Sequence, residues 1–407
     1  MNSGLEKKRL LCIVSSMDVG GAETFLMKIY RALDKTKYQM DFYCMSQKVG
    51  YYEEEIKKLG GRIFHSYPKS KYPIRSFVNL VKTVKKERYH YVLRVSQHSL
   101  ATIDLFAATL GGAKVLAQRS SNSDSGSFLS RKLHNMFKWL PKLIPTVKLA
   151  PSTEAAEYTF GKNCVKKGEV FILKNAIPIE NFTFNVERRN KVRNELGIQN
   201  KFVVGHVGRF AHQKNHSFLI DIFSEIVKMN SESVLLLVGE GELKSEIEGK
   251  IKELNLDDKV LFLGVRSDVA DLMMAMDVFV FPSLFEGLPN SVIEAQATGL
   301  PCIISSNITK EVKVTELVKF MSINENPEQW AINALQYKNG YQRKDMTLQL
   351  TKNGYNIKDV ARKFEKIVFE VWILYFKKYL NTFIDEILIW IVVESLSTVN
   401  ISDITFF

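Results

Sequence analysis

Two doubly wound α/β domains facing a cleft, each a parallel sheet covered by helices, form the architecture that this sequence predicts. Three observations carry it. Short apolar runs alternate with amphipathic stretches through the first half of the chain. The alternation begins afresh after Thr183-Phe184-Asn185. A length of 407 residues suffices for two domains with separate cores.

In the first half, strand-like runs fall at 10–14, 40–45, 62–65, 91–95 and 114–118. Helices are expected between them at about 22–33, 53–59, 74–86 and 101–110, the first opening after a Gly20-Gly21 turn. The second half repeats the pattern, with strands expected at 202–207, 234–238, 260–263, 278–281 and 302–305. Pro178 and its polar neighbours interrupt the periodicity near 175–184, which suits a linker. The expected division is therefore 1–178 for the first, acceptor-side domain and 179–356 for the second. Residues 357–378 have helical character and are expected to cross back to the first domain. The apolar tail 379–407 has no assigned role; charged Asp385, Glu386 and Glu394 bracket its run 387–393, which argues against a spanning helix. Ligands of such sheets bind beyond the carboxyl ends of the strands, so two facing sheets place a site in the cleft between them.

Composition is that of an ordinary globular protein, 46% hydrophobic and 25% charged. Cys12, Cys44, Cys164 and Cys302 are scattered without a C-x-x-C pair, so buried thiols in a reducing cytoplasm are expected rather than disulfides or zinc ligands. Lys7-Lys8-Arg9 before an apolar run has the look of a signal peptide, but the run is short and lacks a cleavage pattern; a first buried strand is expected. No run of eighteen apolar residues stands out as a membrane span. Charge is lopsided: residues 1–180 hold 30 Lys+Arg against 15 Asp+Glu, the remainder 26 against 29. A positive first half calls for an acidic partner. No recognisable nucleic-acid module accompanies it, so an anionic membrane surface or a phosphorylated lipid is the more economical expectation.

The most informative stretch is Phe285-Glu286-Gly287-Leu288-Pro289-Asn290-Ser291-Val292-Ile293-Glu294, which follows the apolar run 278–281. It reads as strand, glycine loop and helix start, with a carboxylate on either side of the loop. A helix start offers free N–H groups to a diphosphate, and the carboxylates can accept hydrogen bonds from a ribose and a sugar. The same residues also read as a plain capping box, Ser291 with Glu294, beside an ordinary loop carboxylate. Arg209 and Lys214, in Gly208-Arg209-Phe210-Ala211-His212-Gln213-Lys214, lie just past the second domain's first strand. Two cations there can neutralise a leaving diphosphate, or merely form a solvated basic loop. Gly20-Gly21 occupies the mirrored position in the first domain, where glycines allow close backbone approach; alone it is only a turn. His98 follows the fourth strand and faces the same expected cleft, although a single histidine at a strand end is commonly structural.

Taken together these residues resemble the retaining family-4 glycosyltransferases of the GT-B fold, in particular bacterial capsule and exopolysaccharide enzymes. The resemblance covers about 8–375. It is carried by Gly20-Gly21-Ala22-Glu23, Gln97-His98-Ser99, Gly208-Arg209-Phe210 with Gln213-Lys214-Asn215, Val238-Gly239-Glu240-Gly241 and the paired-glutamate stretch; Pro151-Ser152-Thr153 and Asn175-Ala176-Ile177 add to it. It implies two Rossmann-like domains and transfer of a sugar from a nucleotide donor, expected to be a UDP-sugar, to a growing or polyprenyl-diphosphate-linked glycan. Arg209 and Lys214 are then expected on the donor diphosphate and Glu294 on the ribose. Glu286, with the backbone of Gly287, Leu288, Pro289, Asn290 and Ser291, is expected on the donor sugar. Gly20 and Gly21 would close over the phosphates, Val265 and Arg266 would lie near the base, and His98 would face the acceptor. Glu286, His98, Arg209 and Lys214 are the expected catalytic group, Glu286 as an orienting residue rather than a nucleophile. No Asp-x-Asp occurs, so neither metal nor other cofactor is expected. The expected location is cytoplasmic, peripheral to the inner face of the membrane. Alternatives are a degenerate partner subunit that stabilises another glycosyltransferase, and a sugar-nucleotide epimerase. Two departures stand out: the tail beyond Phe376, and Asn175-Ala176 where many members have Asn-Gly.

Overall fold

A computed structural model describes residues 7–121 and 128–370. The tail 379–407 and the end of the expected crossing helix, 371–378, lie outside the described residues. Two wholly parallel sheets organise the remainder. The first contains β1 (Lys8–Val14), β2 (Tyr38–Cys44), β3 (Ile63–His65), β4 (Tyr91–Val95), β5 (Val115–Arg119), β6 (Val147–Ala150) and β7 (Val170–Ile172), in the order β3-β2-β1-β4-β5-β6-β7. The second contains β8 (Phe202–Val207), β9 (Ser233–Val238), β10 (Val260–Gly264), β11 (Val278–Phe281), β12 (Cys302–Ser305) and β13 (Val318–Met321), in the order β10-β9-β8-β11-β12-β13. Both orders reverse direction once, between β1 and β4 and between β8 and β11, and such switch points open the crevices where ligands bind.

The central strands are largely apolar because both faces of each sheet are covered, with Asp41, Arg94, Gln118 and His206 as buried polar exceptions. In β1, Leu10, Cys12 and Val14 enter one core while Leu11 and Ile13 enter the core on the opposite face. In β11, Phe279 and Phe281 enter one core and Val278 and Val280 the other. Fully burying such side chains contributes roughly 1.5–3 kcal/mol each. All four cysteines are buried free thiols. Burial pushes the Cys44 thiol up to about 12, which makes it a packing group rather than a nucleophile.

β6, β7 and β13, three or four residues each, were not expected from the periodicity. They are too short for a period to show, and β7 is only partly buried. The two domains are joined by two adjacent backbone segments. Ile177 N–H donates to Tyr355 O at 2.9 Å and Ile357 N–H to Ile177 O at 3.0 Å. Beyond this hinge the Ile357–Glu365 helix buries Val360, Ala361 and Phe364 in the same core as Phe25, Leu26 and Ile29. Phe369 stacks on Tyr38 at 4.4 Å. Among the described residues no helix is long and apolar enough to cross a membrane.

Candidate active site

The crevice at the β8/β11 switch point is assembled from loops that follow four strands. A turn, His212–Lys214, follows β8 and ends at Asn215 in the left-handed region, φ 56°. Asn215 Nδ2 donates to Pro282 O at 3.2 Å, Gln213 Nε2 to Phe285 O at 2.9 Å, and Leu284 N–H to Gln213 O at 2.9 Å. These bonds lace the loop after β8 to the loop after β11. At their centre Lys214 Nζ donates to Glu286 Oε1 at 2.6 Å. The pair keeps only 18% and 11% of its side-chain exposure, and the ammonium lies 4.7 Å from the Phe281 ring centre. A charge-assisted bond this sheltered from water is a strong one.

The Asn290–Ala297 helix starts where that loop ends. Its N-cap is Pro289, and no side chain caps it, so the Ser291–Glu294 capping box is not formed. Ser291 already stands inside the first turn, two residues past the cap position. The first-turn N–H groups are therefore left for another acceptor. Glu294 instead reaches the other domain: Lys28 Nζ, on the Gly21–Ala32 helix, donates to its Oε1 at 3.0 Å.

Glycines set the outer wall. Gly239 has φ 140°, and a Cβ there would run into Gly208 O; a Cβ at Gly241 would meet Phe210 N at 2.7 Å. Gly239 N–H donates to Gly264 O at 2.8 Å. Val238-Gly239-Glu240-Gly241 thus packs the loops after β8, β9 and β10 backbone against backbone. Arg209 is not drawn into the Lys214–Glu286 pair; it is exposed and bonds Glu242 Oε2 at 3.0–3.2 Å. Arg266 forks onto Asp268 at 2.6–2.8 Å, and Val265 is exposed beside it. Gly287 is exposed, while Leu288 packs against the second core.

Behind Lys214 lie His206 and His216, whose roles sequence reasoning missed; their only signal was two histidines flanking a cationic loop. Their rings meet edge-on at 4.7 Å, and His216 stacks on Phe210 at 4.3 Å. His206 Nδ1–H donates to Val280 O at 2.9 Å, while its Nε2 and both His216 nitrogens have no partner among the described residues. Burial, then the nearby Lys214 charge, pulls His216 down to about 4, and burial holds His206 well below its ordinary value. Both are neutral at pH 7.

On the first domain, Gly20 is the N-cap of the Gly21–Ala32 helix. The Glu23 carboxylate folds back over Gly20, and burial raises its proton affinity. Gly21 faces open space, with nothing within 4 Å of a Cβ built there. His98 caps the Ser99–Thr102 turn: its Nδ1 accepts from Leu100 N–H at 3.2 Å, which leaves Nε2–H to donate to Ser130 O at 3.0 Å. Both ring nitrogens are thus engaged, and His98 holds the Phe128–Met136 helix.

Comparisons with known proteins add to this geometry. Residues 201–337, most of the second domain, match the family model described as glycosyl transferases group 1. The chain is 35% identical over 337 residues to the putative glycosyltransferase EpsF of Bacillus subtilis, covering 81% of this chain and 87% of that protein. It is 31% identical over 242 residues to the UDP-Gal:alpha-D-GlcNAc-diphosphoundecaprenol alpha-1,3-galactosyltransferase of Escherichia coli, covering 57% and 62%. The crystal structure of Anabaena Alr3699/HepE in complex with UDP-glucose is similar in fold, with a TM-score of 0.64 at 18% identity over 96% of this chain and 100% of that one.

Proposed function

The chain belongs to the group 1 glycosyl transferases, with two Rossmann-like domains in the GT-B arrangement, and on that premise we propose that it moves a hexosyl unit from a nucleotide sugar, a UDP-sugar, to a polyprenyl-diphosphate-linked or growing glycan of a bacterial surface polysaccharide, with retention of anomeric configuration. The single observation that carries the reading is the sheltered Lys214–Glu286 pair, placed at the β8/β11 switch point beside an uncapped helix start.

The chemistry follows from charge. As the C1–O bond of the donor loosens, the sugar gains oxocarbenium character and the diphosphate gains negative charge. Lys214 and the N–H groups opening the Asn290–Ala297 helix stabilise that charge as it develops. The incoming diphosphate competes with Glu286 for the Lys214 ammonium and frees the carboxylate to accept hydrogen bonds from sugar hydroxyls. Arg209, exposed at the surface beside Glu242, swings onto the same diphosphate. Glu294 accepts from the ribose, with Val265 and Arg266 alongside the base. On the opposite wall Gly21 leaves room for the phosphates, Gly20 lies beneath the Glu23 carboxylate, and His98 borders the acceptor. The acceptor hydroxyl attacks C1 on the face the diphosphate leaves; its proton passes to the departing phosphate oxygen. Lysine, arginine and helix start together hold the diphosphate, so this scheme calls on no metal.

The Escherichia coli relative, by its name, acts on a diphosphoundecaprenol acceptor. Such an acceptor lies at a membrane, and two basic helices of the first domain suit one. Pro73–Lys86 exposes Ile74 and Val78 beside Arg75 and Lys82, and Phe128–Met136 exposes Phe128, Leu129 and Met136 beside Arg131 and Lys132. Peripheral attachment at the cytoplasmic leaflet is the location this reading assigns. The deciding experiment is a panel of nucleotide sugars followed by mass spectrometry, with the product's anomeric configuration read by NMR. Release of a nucleoside diphosphate and an α-linked product from an α-linked donor are expected. An inverted product would refute retention, and inertness toward every donor would refute the reading.

A further inference from the structure

The ion pair between Lys28 and Glu294 joins side chains 266 residues apart on two domains. Each partner stands on a fixed support. Met27 and Ile29, on either side of Lys28, are fully buried in the first domain, as Ile293 and Ala295 are on either side of Glu294 in the second. The side chains keep 13% and 16% of their exposure, so water screens the contact only in part. Among the described residues no other group hydrogen-bonds either charge, which leaves Glu294 Oε2 and two ammonium hydrogens open.

Two carboxylates beside a doubly charged diphosphate would repel it. In this molecule each has a lysine: Glu286 has Lys214 from its own domain, and Glu294 has Lys28 from across the cleft. The incoming diphosphate can draw Lys214 away, because the two lie in the same loop system. Lys28 is carried by the opposite domain and stays with Glu294. We infer that Lys28 is a positioning residue for the donor: it fixes one oxygen of Glu294, cancels that charge, and leaves the second oxygen to accept from the ribose hydroxyls. The ribose is then read by a carboxylate held from both domains, and the donor site is complete only when the domains are closed. This inference rests on the nucleotide-sugar reading above.

The test is isothermal titration with UDP and with 2′-deoxy-UDP, together with donor and acceptor kinetics. Wild-type protein is expected to prefer UDP, because the lost hydroxyl no longer meets Glu294. Lys28→Met should weaken UDP binding and raise donor KM by about tenfold, with kcat changed by less than about twofold and acceptor KM unmoved. It should also shrink the preference for UDP over 2′-deoxy-UDP, a readout that a merely structural lysine would leave alone. Lys28→Arg retains charge and reach and should restore both values. In Glu294→Gln the further loss on adding Lys28→Met should vanish, since the two residues act as one unit. Wild-type protein that binds no UDP overturns the UDP-sugar reading itself. Wild-type binding with an unchanged Lys28→Met variant, or independent losses in the double variant, overturns the role of Lys28 alone.

Discussion

Lys214 and Glu286 meet at 2.6 Å in a sheltered pocket, so removing either changes the charge available to a reacting donor. Lys214→Ala and Glu286→Gln are each expected to lower kcat by roughly 10²–10³-fold, the range for losing one preorganised stabiliser, with circular dichroism unchanged. Steady-state kinetics check this; variants within about twofold of wild type would remove both residues from the mechanism. His216 makes a second prediction. Its affinity for a proton falls from the ordinary 6.5 to about 4 on folding, so the unfolded chain binds the proton more readily. The stabilisation is complete above pH 6.5 and is lost as pH falls from there to about 4. His216→Phe, which keeps the stack on Phe210 and removes two unpartnered nitrogens, should flatten the fall in Tm over that interval. At this scale the sequence was partly legible. Lys214 and Glu286 could be assigned to one site because both follow strands of the second sheet, but their ion pair was not foreseen. The turn of Arg209 toward Glu242, and the reach of Lys28 to Glu294, depend on side-chain direction and domain closure, which no local pattern encodes.

Among elements, the strands at 91–95, 202–207, 278–281 and 302–305 begin and end where hydrophobic runs place them, because buried parallel strands admit few polar residues. The short strands β6, β7 and β13 gave no such signal. The helix start after β11 was legible from Gly287-Leu288-Pro289-Asn290, yet its capping was not: Ser291-x-x-Glu294 matches a capping box in spacing, but Pro289 takes the cap position. The glycine loop after β9 has a measurable consequence. Gly239→Ala combines φ 140° with a collision against the Gly208 carbonyl, and should destabilise the protein by about 2–3 kcal/mol in urea unfolding. A loss under about 0.5 kcal/mol would mean that these loops move apart freely.

Across the whole molecule, two sheets with one switch point each face a common cleft, joined by the paired segments at Ile177 and Tyr355–Ile357. Restarting periodicity made the two-sheet plan readable; the hinge was readable only as a loss of pattern near Pro178. Charge is divided along the same line, with the basic excess in residues 1–180. If that half meets lipid, the purified protein should sediment with phosphatidylglycerol vesicles at low salt and release at about 1 M, where the Debye length is near 3 Å. Absent or salt-independent binding would count against the surface assigned to Pro73–Lys86 and Phe128–Met136. Glycosyl transfer driven by Lys214 and a helix start acting on a departing diphosphate can be decided by a single assay. Wild-type protein and Lys214→Ala are incubated with a UDP-sugar and a polyprenyl-diphosphate-linked saccharide, and UDP and extended glycan are quantified together by mass spectrometry. One UDP for each added sugar is expected in the wild type and almost none in the variant. Equal turnover by the two proteins would contradict it.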